Sequence, residues 1–287
     1  MSDRRVFDIT QLIGNTEHLV SFPLVVMSLL HTLNNKYADR NDIASLIKQD
    51  PALTTELIRL CNTPMYYTGD KPVYSVEEAV KLIGTEQVTT LCLALCACDA
   101  TSSLKNEVID LDDYWRHCLL TACLSSVLAE EKPAIASGAA FTGGLLHDIG
   151  QLPLFYQYPE ESIHILNSCQ LHPERKIVEA EKEIFGFTHE EVGSRLAEKW
   201  NFPEPLGLCL SQHHSCDLTT ETDELAMIVR VANILSESLE TQEDPALYLD
   251  AITPIALSLV IPDTEMLPDV FDKASSYFDD VQSSIFV

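Results

Sequence analysis

The residues able to do chemistry here are chiefly histidines. His147-Asp148 is the only adjacent His-Asp pair, and it lies in the run Gly143-Gly144-Leu145-Leu146-His147-Asp148-Ile149-Gly150. A neighbouring imidazole and carboxylate can grip one metal ion, the carboxylate through hard oxygen and the imidazole through borderline nitrogen. Four more histidines stand inside or at the ends of apolar helical segments: His117, His189, His213 and His214. With the pair they make six candidate ligands drawn from four helices, and a helical bundle can point such residues into one central pocket. Two readings remain open. The pair is either part of a metal site or a capped helix end whose His and Asp satisfy each other. His18, His31, His164 and His172 lie in polar or amphipathic surroundings and read as surface residues.

The elements that must position these groups are helical throughout. Apolar residues recur at helical spacing, and no alternating strand pattern with hairpin turns appears. Phe22-Pro23 opens a helix carrying Leu24, Met27, Leu30 and Leu33. Asp50-Pro51 ends one helix and starts the next, because the residue before proline disfavours the helical region. Ser75-Val76-Glu77-Glu78 reads as a capping box, with Glu78 reaching back to the cap. The run from Glu86 to about Ala100 is apolar nearly all round and reads as the buried rod of the N-terminal half. Residues 101–110 are polar and mark the best internal boundary. Asp110 or Asp112 can cap a helix Leu111–Glu130 that carries His117. Gly143 and Gly144 admit a close neighbour, Gly150 fits a helix C-cap, and Pro153 keeps that helix from resuming. Thr188-His189-Glu190-Glu191 is a second capping box, and Asn233 interrupts an apolar helix at Leu225–Leu239. The expected organisation is an N-terminal helical bundle over 1–105, a half bearing the His-Asp site over 106–240, and an acidic helical extension over 241–287.

Composition narrows the function. The chain has 287 residues, 46% hydrophobic and 22% charged, with a formal charge of −26. That excess of negative charge argues against direct contact with a nucleic-acid backbone or an anionic membrane surface. It is uneven: residues 216–287 carry fifteen acids against Arg230 and Lys273. The apolar runs are too short to cross a bilayer, which takes about 20 residues, and the N-terminus lacks the apolar core of a signal peptide. A cytoplasmic protein is expected. Its nine cysteines, with no Cys-x-x-Cys, read as reduced thiols in the core rather than ligands.

His117, His147-Asp148-Ile149-Gly150 and His213-His214 resemble the HD superfamily of metal-dependent phosphohydrolases. Residues 16–240 as a whole resemble the HDOD family more closely. The resemblance runs through Phe22-Pro23-Leu24-Val25-Val26, Ile43–Leu53, Leu57–Asn62 and Val76–Gly84. In the second half it runs through Trp115-Arg116-His117, Gly144–Gly150, Phe185-Gly186, His189–Gly193, Trp200 and His213-His214. It implies an all-helical fold, HDOD and HD-domain-like, in which a family-specific N-terminal bundle packs on an HD-like half. The metal set of active HD enzymes falls on His117, His147, Asp148 and Asn233. The last is a departure from Asp: the carboxamide keeps an oxygen but loses the charge that strengthens cation binding. Gln151 is another, standing where many relatives carry a lysine able to meet phosphate. No Gly-Tyr-Pro signature follows Gly150, so hydrolysis of cyclic di-GMP is not expected.

Two functions are consistent with these residues. One is a regulatory signal-transduction protein that binds a protein partner and keeps a degenerate metal site. The other is a metal-dependent phosphohydrolase acting on a phosphomonoester or a nucleotide phosphodiester. In the second, Asp148 is the catalytic candidate, one ion sits on His117, His147 and Asp148 with weak help from Asn233, and His189, His213 and His214 hold a second ion or the substrate phosphate. Gln151 is a candidate for substrate contact. Iron, manganese, nickel and zinc suit the donors, with one or two ions or none. No receiver, kinase or cyclase segment is visible in the chain, so a signal is expected to pass through contacts in trans. Nothing in the helices specifies an oligomer.

Overall fold

The computed structural model describes residues 6–15, 28, 40–63, 66, 72–85, 88–89, 91–92, 95–96, 110–132, 135, 137–172, 175–215 and 224–285. Every regular element among them is a helix. The segment expected to open at Phe22-Pro23, with His18 and His31, lies outside the described residues.

Three short helices of the N-terminal half, α1 (Ile9–Asn15), α2 (Arg40–Ile47) and α3 (Pro51–Cys61), precede α4 (Val76–Ile83). Pro51 is the first residue of α3, and Asp50 caps it by accepting from the amides of Ala52 and Leu53, both at 3.0 Å. Pro51 gives up nothing there, since amides of the first turn have no partner within a helix. At α4 the box is shifted. Ser75 Oγ accepts from the Glu78 amide at 3.2 Å, but the Glu78 carboxylate takes the amide of Tyr74 at 2.8 Å, one residue earlier than expected. Of the apolar run 86–100, the described residues Val88, Thr89, Leu91, Cys92, Leu95 and Cys96 are buried.

The second half is built on α5 (Leu111–Glu130), capped by Asp110 and buried almost all round. Against it pack α6 (Ser137–Leu146), α12 (Glu224–Thr241) and α14 (Leu267–Ile285). Between them run α7 (Gln151–Gln157), α8 (Pro159–Leu171), α9 (Ile177–Phe185), α10 (His189–Lys199) and α11 (Glu204–Gln212), and α13 (Pro254–Val260) follows α12. Leu119, Leu124 and Leu128 of α5 and Phe141 of α6 are fully buried, and each contributes about 1.5–3 kcal/mol by leaving water. The two ends of the chain tie the halves together. Helix α1 lies against α7 and α10, while α14 touches both α5 and α3. No helix among the described residues is long and apolar enough to cross a membrane. Cys61, Cys92, Cys96, Cys118, Cys123 and Cys209 are free thiols and buried.

One local expectation fails at the site itself. Gly150 is not a helix C-cap: its φ is −68°, ordinary right-handed backbone, and it stands at the N-cap position of α7. Pro153 lies within the first turn of α7, where a missing N–H costs nothing. The chain therefore turns at His147–Gly150 and re-enters a helix at once.

Candidate metal centre

Small residues decide how close the site-bearing helices come. A methyl group on Gly144 would lie 2.6 Å from Cα of Ala122, so α6 meets α5 backbone to backbone. A methyl group on Gly150 would lie 2.1 Å from the His189 carbonyl oxygen and 2.7 Å from the Gly193 amide. These contacts bring the His-Asp turn against α5 on one side and the start of α10 on the other. The start of α10 is fixed in turn by the capping box: Thr188 Oγ1 accepts from the Glu191 amide, and the Glu191 carboxylate accepts from that of Thr188.

The result is that five histidines surround one carboxylate. Asp148 Oδ2 faces His147 Nε2 at 3.3 Å and His117 Nε2 at 3.9 Å. Asp148 Oδ1 faces His189 Nε2 at 3.3 Å and His213 Nε2 at 3.2 Å. His189 and His213 meet through their Nε2 atoms at 3.1 Å. Donor atoms of Asp148, His189, His213 and His214 form one group close enough for a single ion, and those of His117, His147 and Asp148 form another. His147, His189, His213 and Asp148 are buried, and His117 is partly open.

What lies behind each ring makes the arrangement look prepared for a cation. Nδ1 of His147 donates to the Gly144 carbonyl at 2.7 Å and that of His213 to the Cys209 carbonyl at 2.9 Å. Nδ1 of His189 donates to Glu181 at 2.7 Å, and that of His117 to Glu240 at 3.1 Å. Fixing the far nitrogen orients the ring and turns Nε2 towards the centre, the way proteins hold metal-ligating histidines. His147 Nε2 and Asp148 Oδ1 are buried with no hydrogen bond to protein. A buried lone pair without a partner costs free energy, and divalent cations in the two groups would satisfy these atoms. The donor set therefore fits a metal.

The electrostatics say the same. Burial pushes the Asp148 carboxyl up, but the close approach of His147, His189 and His213 outweighs it and holds the group well below the usual carboxylate range. Burial opposes charge on His189, yet Glu181 and Asp148 together raise that ring to about 10. Burial lowers His213 to about 4, against the pull of Asp148. Burial lowers His214 as well, with His213 and His189 adding to it. His117 is raised, because Glu240 and Asp148 overcome its desolvation. Two rings that touch thus shift in opposite directions, and the cluster holds a proton where a metal would place its charge.

The remaining candidates lie around this core. Asn233 is buried on the stripe Arg230–Asn233–Glu237–Glu240 of α12. That stripe faces the cluster: Arg230 donates to the His213 carbonyl at 3.3 Å, and Glu240 holds His117. Gln151 is buried at the start of α7, where its amide donates to the Asp148 carbonyl at 2.8 Å. The carboxamides of Asn233 and Gln151 make no hydrogen bond with the described residues. His164 and His172 are exposed. Glu181, Glu240, Glu190 and Ser236 were not singled out by sequence reasoning. Glu190 accepts from the His214 amide at 2.8 Å, and Ser236 Oγ stands 3.5 Å from His117 Nδ1. Glu181 did leave a signal, since it falls on the stripe Ile177–Glu181–Ile184–Phe185, a carboxylate on the apolar face of α9.

Fold and site together define an all-helical protein of the HD-like class, with a His-Asp pair at its centre. The chain belongs to the HDOD family: the model of the HDOD domain matches residues 19–216. Its fold is similar to that of an HDOD domain protein of unknown function from Geobacter sulfurreducens, at 19% identity and a TM-score of 0.76, with 97% of each chain covered. A Shewanella amazonensis protein, provisionally named a phosphohydrolase, is 22% identical with a TM-score of 0.70, covering 94% of this chain and 97% of that one. A Marinobacter aquaeolei protein, provisionally named a signal transduction protein, is 20% identical with a TM-score of 0.71, covering 98% of this chain and 62% of that one. An uncharacterized protein of Treponema pallidum is 28% identical over an alignment of 204 residues, covering 69% of this chain and 38% of that one. The chain thus spans well under half the length of that relative.

Proposed function

We propose that the protein is a signal-transduction module that binds a divalent transition metal at Asp148 and its histidines and acts by binding a protein partner, not by turnover. The observation that carries this reading is the acidity of the surroundings of the site. Glu240 and Glu237 stand beside His117, and Glu190 stands beside His214. Burial raises the carboxyls of both Glu190 and Glu237. A phosphate ester would bring more negative charge to these carboxylates. Gln151 and Asn233 offer neutral amides where the HD pattern has a cation for phosphate and an anionic fourth ligand. Imidazole-rich donors with one carboxylate suit iron, manganese, nickel or zinc better than magnesium or calcium.

Phosphohydrolase chemistry is the second reading, and it is favoured by the care with which four Nδ1 atoms are held. A bound ion would supply Lewis acidity and a more acidic water. His117, His147 and Asp148 would hold one ion, and Asp148 with His189, His213 and His214 would hold another, Asp148 turning one oxygen towards each group. The protein purified without chelator, beside Asp148→Ala, decides between the readings. Near-stoichiometric metal that disappears in Asp148→Ala, with no cleavage of p-nitrophenyl phosphate or its bis ester by the loaded wild type, supports the regulatory module. Cleavage that Asp148→Ala abolishes would transfer the conclusion to the hydrolase.

A further inference from the structure

The two oxygens of Asp148 look onto unlike surroundings, and the difference concerns which residues bind an ion first. This step rests on the metal-centre reading. Nitrogen and oxygen donors bonded at about 2.1 Å to one ion stand about 3.0 Å apart at octahedral angles and about 3.4 Å apart at tetrahedral ones. Asp148 Oδ1, His189 Nε2 and His213 Nε2 form a triangle with edges of 3.3, 3.2 and 3.1 Å. All three edges fall inside that window before any ion arrives, and His214 stands within reach as a fourth donor. On the other side, His147 meets Oδ2 at 3.3 Å, but His117 stands 3.9 Å from it, outside the window.

Support from behind differs in the same sense. Glu181 is 2% exposed and accepts from both the backbone amide of His189, at 2.9 Å, and its Nδ1, at 2.7 Å. A buried carboxylate behind an imidazole raises the basicity of its metal-facing nitrogen. His117 has Glu240 behind it at 3.1 Å, but those side chains are 22% and 32% exposed, so water screens the pair. The residue that the HD pattern puts fourth on that side, Asn233, is neutral and buried on the helix stripe that carries Glu240.

We infer that the tight metal site is the buried set Asp148–His189–His213–His214, with Glu181 as its positioning residue, and that His117, His147 and Asn233 form a weaker outer site. This reverses the order that the His-Asp motif suggests, in which the ion on His117, His147 and Asp148 comes first.

The test is a titration of the full chain, stripped with chelator, using Co2+ followed by its visible absorption and by calorimetry. The wild type binds a first equivalent at least about tenfold more tightly than a second. Glu181→Gln keeps an oxygen able to accept from His189 and loses only the charge, so a merely structural role leaves binding unchanged. The inference instead expects the first equivalent to weaken about 10–100-fold, with a shift in the Co2+ bands and unchanged helicity. His117→Ala removes the second equivalent and leaves the first intact. The inference is overturned if Glu181→Gln binds as wild type does, or if His117→Ala weakens the first equivalent as much as Glu181→Gln does. A wild type that takes up no Co2+, Zn2+, Mn2+ or Fe2+ would instead sink the metal-centre reading itself.

Discussion

The helices α2–α4 and the helices around Asp148 are both well packed, yet they bury different things. In α2–α4 the buried positions are Ile43, Ala44, Ile47, Leu53, Leu57, Leu60, Cys61, Val76, Ala79 and Val80, and the polar residues Asp50 and Ser75 serve as caps. Around the site the same kind of core holds His147, Asp148, Gln151, Glu181, His189, His213, Arg230 and Asn233. Desolvating such groups opposes folding unless each finds a partner. Among them, His147 Nε2 and Asp148 Oδ1 are buried without a hydrogen bond. The described helices of the first region bury apolar side chains and keep their capping polar groups at the helix ends. The second accepts a local penalty that a bound cation would offset.

The sharpest way to break this contrast is to push the site's helices apart. Gly150→Ala places a methyl group against the His189 carbonyl and the Gly193 amide, two backbone groups that cannot rotate away. It should cost more than the about 1–3 kcal/mol of ordinary overpacking and abolish metal uptake, read by urea denaturation and elemental analysis. Metal uptake at wild-type level would show that α10 and the His-Asp turn are not held together by this contact. Leu57→Ala makes the complementary change in the other region. Leu57 is fully buried in α3, and its truncation should cost about 2–5 kcal/mol while leaving the affinity for the first metal equivalent unchanged. A parallel loss of affinity would mean that the two regions fold and bind as one unit, and the contrast would fall.

Sequence patterns carried much of this architecture and some of the site. The bounds Leu111–Glu130, the cap Asp50-Pro51 and the box Thr188–Glu191 were legible because caps and prolines act through their own neighbours in the chain. The five histidines were legible because imidazoles are conspicuous on apolar helices. Gly150 was misread because a glycine after a helix suits two purposes, a left-handed cap or a close approach, and only the position of His189 in space separates them. Glu240 was invisible for a related reason. It sits in an acidic stretch where every carboxylate reads as solvated, and its partner is 123 residues away.

The mildest expected effect is the pH dependence of the metal-free protein, and the two regions differ there too. His213 has a folded value of about 4 against an ordinary 6.5. Below pH 6.5 the unfolded chain takes up this proton and the folded one does not, so stability falls as pH drops from about 6.5 towards 4. His189 runs the other way, with a folded value of about 10. Its contribution is fully present below pH 6.5 and is lost as pH rises towards 10. The two slopes meet, so stability of the metal-free chain should peak near pH 6.5 and decline by about 0.7 kcal/mol over the next unit on either side. Urea midpoints measured from pH 5 to 9 would show it. Because a metal must displace the proton on His189, loading should flatten the alkaline limb and release close to one proton at pH 7.5, seen as a buffer-dependent heat. A loaded protein with the same alkaline slope as the stripped one would mean that His189 keeps its proton and is not a ligand. The core of α2–α4 contributes no histidine to either limb among the described residues, so Leu57→Ala should lower the whole curve without moving its peak.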